Sequence, residues 1–311
     1  MEPHTPSLSV IIPLYNKERE IEGTLRSVLA QTLRPLEIVV VDDGSTDRSA
    51  EIVRSIASPL VRLIRQSNAG ECAARNRAIA ETQGEYVALL DADDEWEPGF
   101  LAEIAAMIAE YPGCGIYATA FNVIDRDGRF PAPCPSERGI VGNFFRDSAH
   151  RYIAIPSASA IPRAVFDEVG GFPDGMKIGG DLYMWIKIAK RYPVCFSPQP
   201  LVNYSKVASN RSSAIYTPES TLYSFEELYD PEAPDDQNEF VARAALGKAL
   251  TISAKGGTAE AARAAEFFAY TRTYRRTLYK VRLLNALPVS WRGPIIGCYN
   301  ALAWRLARKG L

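Results

Sequence analysis

Residues 36–45 read LEIVVVDDGS, with four consecutive β-branched residues, Ile38 to Val41. A strand with one wet face alternates apolar and polar residues, so an unbroken run requires cover on both faces. The pattern recurs. LSVIIPLYN (8–16), stopped by Pro13, LVRLIRQ (60–66) and EYVALLDADD (85–94) read as further short strands. Between them lie stretches with helical spacing. KEREIEGTLRSVLAQT (17–32) puts Ile21, Leu25, Val28 and Leu29 on one face. TDRSAEIVRSIA (46–57) offers Thr46 or Asp47 as its cap. GECAARNRAIAETQG (70–84) has Gly84 in the stop position, and EPGFLAEIAAMIAEYP (97–112) begins near Pro98. Alternating buried strands and helices predict an α/β fold with a largely parallel, doubly wound sheet. Ligands of such sheets bind outside the carboxyl ends of the strands. Asp42, Asp43, Asp91 and Asp93 all fall there, and should converge on one crevice.

Beyond residue 112 the pattern loosens. IYATAFNVID (116–125) reads as a strand, and residues 126–150, rich in Pro, Gly and Arg, as a mobile loop. PSASAIPRAVFDEVGGF (156–172) reads as a strand and a helix ending at Gly170-Gly171. GDLYMWIKIAKRYP (180–193) is a helix with Leu182, Trp185, Ile186 and Ala189 on its apolar side. The expected organisation is a domain over 1–215, divided near 112 into a first half (7–112) and a second half (113–215), followed by a mainly helical extension over 216–311.

Composition narrows the function. With 47% apolar residues in 311, a core can form, and a net charge of −2 excludes a nucleic-acid binder that works by bulk charge. Five scattered cysteines, without a CxxC pair, suit reduced thiols in the cytoplasm. Only two histidines, His4 and His150, leave acid–base work to carboxylates. The N-terminus has no basic leader with a cleavage site, and no apolar run reaches the roughly 18 residues of a membrane span.

The acids crowd most densely at YVALLDADDEW (86–96), where Asp91, Asp93, Asp94 and Glu95 follow an apolar run. Like charges this close repel, and each is costly to desolvate. A divalent cation such as Mg²⁺ or Mn²⁺, held by one or two carboxylates and completed by phosphate and water, would offset that cost. An acidic loop capping the next helix is the plainer alternative. In VDDGSTD (41–47) a strand-end carboxylate can accept from a uracil N–H or a ribose hydroxyl while Gly44 permits the tight turn; an Asp/Gly turn with Asp47 as helix cap reads equally well. Tyr15 can stack on a base or simply pack, and Arg75 in NAGECAARN (68–76) lies at the crevice mouth or on a helix surface.

LSVIIPLYN, EIVVVDDGSTD, NAGECAARN, GEYVALLDADDEWEPGFL and GGF…GGDLYMWIKIA occur in this order. Together they resemble the inverting family-2 nucleotide-sugar glycosyltransferases of the GT-A fold, over roughly residues 7 to 205. The resemblance implies a Rossmann-like mixed, mostly parallel sheet flanked by helices, a nucleotide-sugar donor (usually a UDP-sugar), a glycan or lipid-linked cell-envelope acceptor, and Mn²⁺ or Mg²⁺. Carried over by position, Pro13, Tyr15, Asp43, Arg75, Asp91 and Ala92 would line the nucleotide pocket, and Asp93 would be the main metal ligand. The family's general base stands in an acidic pair, usually Glu-Asp, four residues before a Trp. Here Asp181 holds the base position before Trp185, but Gly180 replaces the Glu. That departure keeps open a catalytically weak sugar-nucleotide-binding scaffold, and a helix cap as the plainer role of Asp181. A nucleotidyltransferase is disfavoured, since PLYNKERE is not the Gly-rich basic loop such enzymes carry after their first strand.

The C-terminal third is polarised. Residues 219–239 hold eight acids and no Lys or Arg; from 267 to the end there are nine Lys or Arg and no acid, with Trp291, Tyr299 and Trp304 interleaved. This suits an interfacial helix on an anionic membrane, on the inner face of the cytoplasmic membrane. It suits equally a basic subdomain packed on the acidic segment, or a homodimer contact.

Overall fold

The computed structural model describes residues 5–209 and 221–297. Of these, residues 5–209 with 221–222 belong to one compact unit and 223–297 to a second.

The first unit is a three-layer α/β arrangement. Its sheet contains β1 (Leu8–Leu14), β2 (Glu37–Asp42), β3 (Val61–Arg65), β4 (Tyr86–Leu89), β5 (Glu95–Trp96), β6 (Ile116–Asp125), β7 (Gly128–Pro131), β8 (Gly139–Ile140), β9 (Ser159–Pro162) and β10 (Val194–Ser205). The order is β3-β2-β1-β4-β9-β6-β10-β5, with β7 beside β6 and β8 beside β10. β3, β2, β1 and β4 are parallel neighbours; β9 runs antiparallel between β4 and β6, and β6 and β10 are parallel again. Six strands therefore point one way in a mixed sheet.

The β-branched run of β2 is covered on both faces. Ile38 and Val40 join Ile12, Leu14, Ile21, Leu25, Val28, Phe100 and Ile104 in the core formed with α1 (Ile21–Leu29) and α4 (Phe100–Glu110). Val39 and Val41, also fully buried, lie on the opposite face, where α3 (Glu71–Glu81) packs with its buried Ala74 and Ala78. Each such side chain contributes roughly 1.5–3 kcal/mol of burial. α2 (Ser49–Ser55), α5 (Phe144–Asp147), α6 (Arg163–Val169) and α7 (Gly180–Ala189) complete the unit.

Several elements differ from the sequence expectation. Pro13 does not stop β1 but pairs in register with Val41. The β4 ladder on β1 ends at Ile11, so the proline falls where its missing N–H costs no ladder bond. α1 is shorter than 17–32 and leaves Leu29 exposed. Gly84 is not the stop of α3, which is capped at Thr82; a Cβ on Gly84 would lie 2.6 Å from Ser9 Oγ and 2.8 Å from Ser9 N, so the glycine permits close approach to β1. Residues 126–150 are not a bare loop: β7 closes a hairpin on β6, and β8 and α5 follow. α7 is buried on most sides through Tyr183, Met184, Trp185, Ile186 and Ile188, with Leu182 and Ala189 only partly covered.

In the second unit α8 (Asp235–Ala254), α9 (Thr258–Phe267) and α10 (Arg275–Asn285) pack around Phe240, Val241, Leu246, Ile252, Phe268, Leu278, Val281 and Leu284. Two of the acids of 219–239 serve local structure here. Glu239 accepts from Thr271 Oγ1 at 2.6 Å and Arg272 N at 2.7 Å, fixing the turn that leads to α10, and Glu226 pairs with Arg263 at 3.2 Å. Arg292, one of the nine basic residues, is buried and binds the carbonyls of Ser253, Asn285 and Leu287. Tyr299, Trp304, Arg305, Arg308 and Lys309 lie outside the described residues. Among those described, no helix is long and apolar enough to cross a membrane.

Candidate active site

The carboxyl ends of β1, β2 and β4 meet above the sheet, where the chain leaves each strand in a polar turn. After β1, Pro13 and Tyr15 are half-buried, and Asn16 is the only non-glycine residue at positive φ (51°) among those described. Its side chain accepts from Thr46 N at 2.8 Å and its amide donates to Ser45 Oγ at 3.0 Å, tying this turn to the one after β2. A Cβ on Gly44 (φ 78°) would lie 2.9 Å from Asn68 N, so that turn needs glycine for space and conformation.

The strand-end acids divide by burial. Asp42 accepts from Ser45 N at 2.9 Å and from Arg65 Nε at 2.7 Å, which locks the β2 turn. Asp43 accepts from Gln66 Nε2, Ala69 N and Gly70 N, each at 2.8 Å, and so holds the NAG loop against β2. Asp94, 1% exposed, accepts from Ser205 N at 2.8 Å and from Ser157 Oγ. Burial, and then Asp91 and Asp93, push its carboxyl well above the usual range. Ser157 Oγ also accepts from Asp91 N, and Ser157 O accepts from Trp96 Nε1 at 2.6 Å. Asp94 thus anchors the acidic turn and leaves Asp91 and Asp93 at the crevice, with Ala92 buried between them.

Cations answer these two acids. Arg75, on α3, is 3% exposed; its Nη2 donates to Asp91 Oδ1 at 2.6 Å and contacts Glu71 Oε1. Its guanidinium lies over the Phe172 ring at 5.2 Å, and its Nε has no partner among the described residues. Lys17 Nζ donates to Asp93 Oδ2 at 2.7 Å and to the carbonyl of Ser209, whose amide and hydroxyl bind Glu20.

Asp181 sits in the first turn of α7, half-buried. It is not the helix cap: that position is Gly179, at φ 80°. Loss of water raises its carboxyl above the usual range, against the opposing pull of the Leu182 amide and of Arg75. Its charge neighbours include Arg75 and Asp91, so the structure groups it with the strand-end site. Gly180 has a steric reason: a Cβ there would lie 2.6 Å from Cys72 Sγ. Sequence reasoning missed Lys17, Glu71, Ser157 and Ser209. Lys17 follows Tyr15 within PLYNK and was the most accessible of them; nothing near Ser157 in the chain points to Asp94, 63 positions away.

The model of glycosyl transferase family 2 matches residues 9–170, just over half of the chain. The chain belongs to this family. Among its relatives, YibD of Escherichia coli (strain K12), called an uncharacterized glycosyltransferase, is 46% identical over 108 residues, 34% of this chain and 31% of that protein. TuaG of Bacillus subtilis (strain 168), named for teichuronic acid biosynthesis, is 36% identical over 126 residues, 40% of this chain and 50% of that protein. These alignments span half of the relatives' length or less. The crystal structure of residues 1–349 of S. aureus TarS in complex with UDP-GlcNAc matches 95% of this chain and 92% of its own, with a TM-score of 0.66 at 20% identity. The likeness shows a shared fold, the mixed α/β sheet flanked by helices.

Proposed function

We propose that this chain transfers a sugar from a UDP-sugar to a hydroxyl of a glycan or lipid-linked acceptor by a single inverting displacement. The observation that carries this is the gathering of acids at the strand ends of a family-2 glycosyltransferase fold: Asp91 is held by the buried guanidinium of Arg75, Asp93 by Lys17, and Asp181 lies in the field of Arg75 and Asp91. The UDP-GlcNAc and UDP complexes of the structural neighbour TarS support the donor class. Teichuronic acid biosynthesis, in the name of TuaG, supports a cell-envelope acceptor.

The residues present fit a divalent ion. Asp91 and Asp93 are hard oxygen donors at the crevice, and Asp93 already holds a cationic group, the Lys17 ammonium. Mg²⁺ or Mn²⁺, when bound by Asp93 with Asp91 nearby, supplies neutralising charge for a departing diphosphate. The rest is done by the chain. Pro13, Tyr15, Asp43, Arg75, Asp91 and Ala92 frame the nucleotide, with Asp43 acting partly through the loop it fixes. Asp181 takes the proton of the acceptor hydroxyl. That oxygen bonds to the anomeric carbon from the face opposite the leaving group, the anomeric C–O bond breaks, and its electron pair leaves with the nucleoside diphosphate. A donor with an α-linked sugar then yields a β-glycoside.

The test is a panel of nucleotide sugars with Mn²⁺ or Mg²⁺, scored by thermal shift and slow donor hydrolysis. At least one UDP-sugar should raise Tm and be consumed. Stabilisation without consumption, even with acceptors added, would favour the scaffold reading; no response to any donor would remove both.

The second unit supports a peripheral membrane contact. Arg275, Arg276, Tyr279, Lys280 and Leu283 on α10 are exposed, followed by exposed Val289 and Trp291. A face that interleaves cations with aromatic and aliphatic groups suits an anionic bilayer. The full chain should pellet with phosphatidylglycerol vesicles at low salt, and the Arg275→Glu/Arg276→Glu variant should pellet much less. Equal pelleting of both proteins would exclude this surface.

A further inference from the structure

Glu71 is the first residue of α3, and its side chain is 48% exposed at the crevice. Its Oε1 and Asp91 Oδ1 share one nitrogen, Arg75 Nη2. Its other oxygen, Oε2, has no partner among the described residues. Arg75 lowers its proton affinity, yet loss of water together with Asp91, Asp181 and Asp93 outweighs that and raises it. A fourth carboxylate in this field is unfavourable for folding alone. A ligand that donates a hydrogen bond would compensate it.

The position of Glu71 relative to Asp181 is fixed by packing. Cys72 Sγ donates to Met176 O at 3.4 Å and fills the space beside Gly180. Asn76 Nδ2 donates to Phe172 O and to Asp174 Oδ1, each at 2.8 Å, and Phe172 N donates to Asn76 Oδ1 at 2.7 Å. The N-terminal half of α3 is therefore bolted to residues 172–180, the segment that delivers Asp181. The nucleotide-side residues Pro13, Tyr15 and Asp43 belong to β1, β2 and their turns.

We propose that Glu71 is an acceptor-binding residue, its free carboxylate oxygen taking a hydrogen bond from a hydroxyl of the acceptor sugar beside Asp181. It provides from α3 the second acid that position 180 lacks, where a Cβ would lie 2.6 Å from Cys72 Sγ. This rests on the glycosyltransferase reading, but its test does not require turnover.

The full chain with UDP and Mn²⁺ is titrated with a panel of p-nitrophenyl glycosides (gluco, galacto and N-acetylgluco), and binding is followed by saturation-transfer NMR. At least one should bind, and Glu71→Ala should weaken it on the order of 10- to 100-fold, the range for a hydrogen bond to a charged group. UDP affinity should stay within about threefold, a change of well under 1 kcal/mol. Adding Cys72→Ala and Gly180→Glu to Glu71→Ala should restore glycoside binding, which a merely structural role for Glu71 would not allow. Unchanged glycoside affinity in Glu71→Ala overturns the proposal, as does a wild-type protein that binds none of the panel. A matching loss of UDP affinity also overturns it, because Glu71 would then act through Arg75. If glycosides bind as expected but Asp181→Asn transfers sugar like the wild type, the catalytic reading fails and this one stands.

Discussion

Asp181→Asn should abolish sugar transfer while donor binding survives. A positioned general base contributes roughly 10²- to 10⁴-fold, and asparagine keeps the size of the side chain while removing its ability to take a proton. The residue lies in the first turn of a well-buried helix whose cap is Gly179, so the substitution removes no cap and should leave the fold intact. The wild-type pH profile carries a second signature. Asp181 acts only when deprotonated, and burial raises its proton affinity. The acid limb of kcat/KM should therefore lie above the usual carboxylate range, with activity falling as pH drops through that raised value. UDP-sugar binding, followed by calorimetry, should stay within about twofold across the same pH range, a few tenths of a kcal/mol. Turnover by Asp181→Asn equal to that of wild type would reject Asp181 as the base. A flat acid limb down to the ordinary range would show that burial does not tune it.

How much of this is legible in the sequence alone follows from the range of the forces involved. The run Ile38–Val41 announces a strand covered on both faces because periodicity is local, and the strand-end placement of Asp43 follows from it, as that of Asp91 and Asp93 follows from the apolar run of β4. β10 was missed for an equally local reason. VCFSPQPLVNYS carries Pro198 and Pro200, which read as breakers, and the strand accommodates them with register shifts between Ser197 and Val202. The distinction between Asp94, an internal anchor, and Asp91 and Asp93, which face the crevice, was invisible. It depends on Ser157 and Ser205, residues 63 and 111 positions away. Gly180 read as a lost acid. The structure shows instead a site where a Cβ would lie 2.6 Å from Cys72 Sγ, on another helix, so that the thiol would have to move. Such contacts are set by tertiary packing, and no spacing rule in one sequence encodes them.

Asp93→Ala should have the next largest effect, and it separates the metal role from the structural one. Asp91 and Asp93 are not equivalent. Asp91 is bound at 2.6 Å by Arg75, a buried guanidinium also held by Glu71 and stacked on Phe172, whereas Asp93 is bound at 2.7 Å by the ammonium of Lys17. A planar guanidinium in a buried fork is hard to displace, while a single ammonium on a flexible stem yields more readily to a divalent ion. Asp93 is therefore where a cation should enter. Removing it should cost transfer on the order of 10²- to 10³-fold, the scale of several kcal/mol of charge stabilisation on the leaving diphosphate. It should also abolish the Mn²⁺-dependent part of the thermal shift given by UDP. Without nucleotide or metal, Asp93→Ala should be less stable by about 1–3 kcal/mol, because Lys17, only 11% exposed, loses its carboxylate partner. Lys17→Met probes the other half of the pair: it should lower apo stability similarly yet keep the metal-dependent shift, since the carboxylate remains. If Asp93→Ala retains the wild-type metal dependence of UDP binding, the cation is held elsewhere, and the Lys17–Asp93 pair is a structural bridge from the β1 turn to the acidic turn after β4.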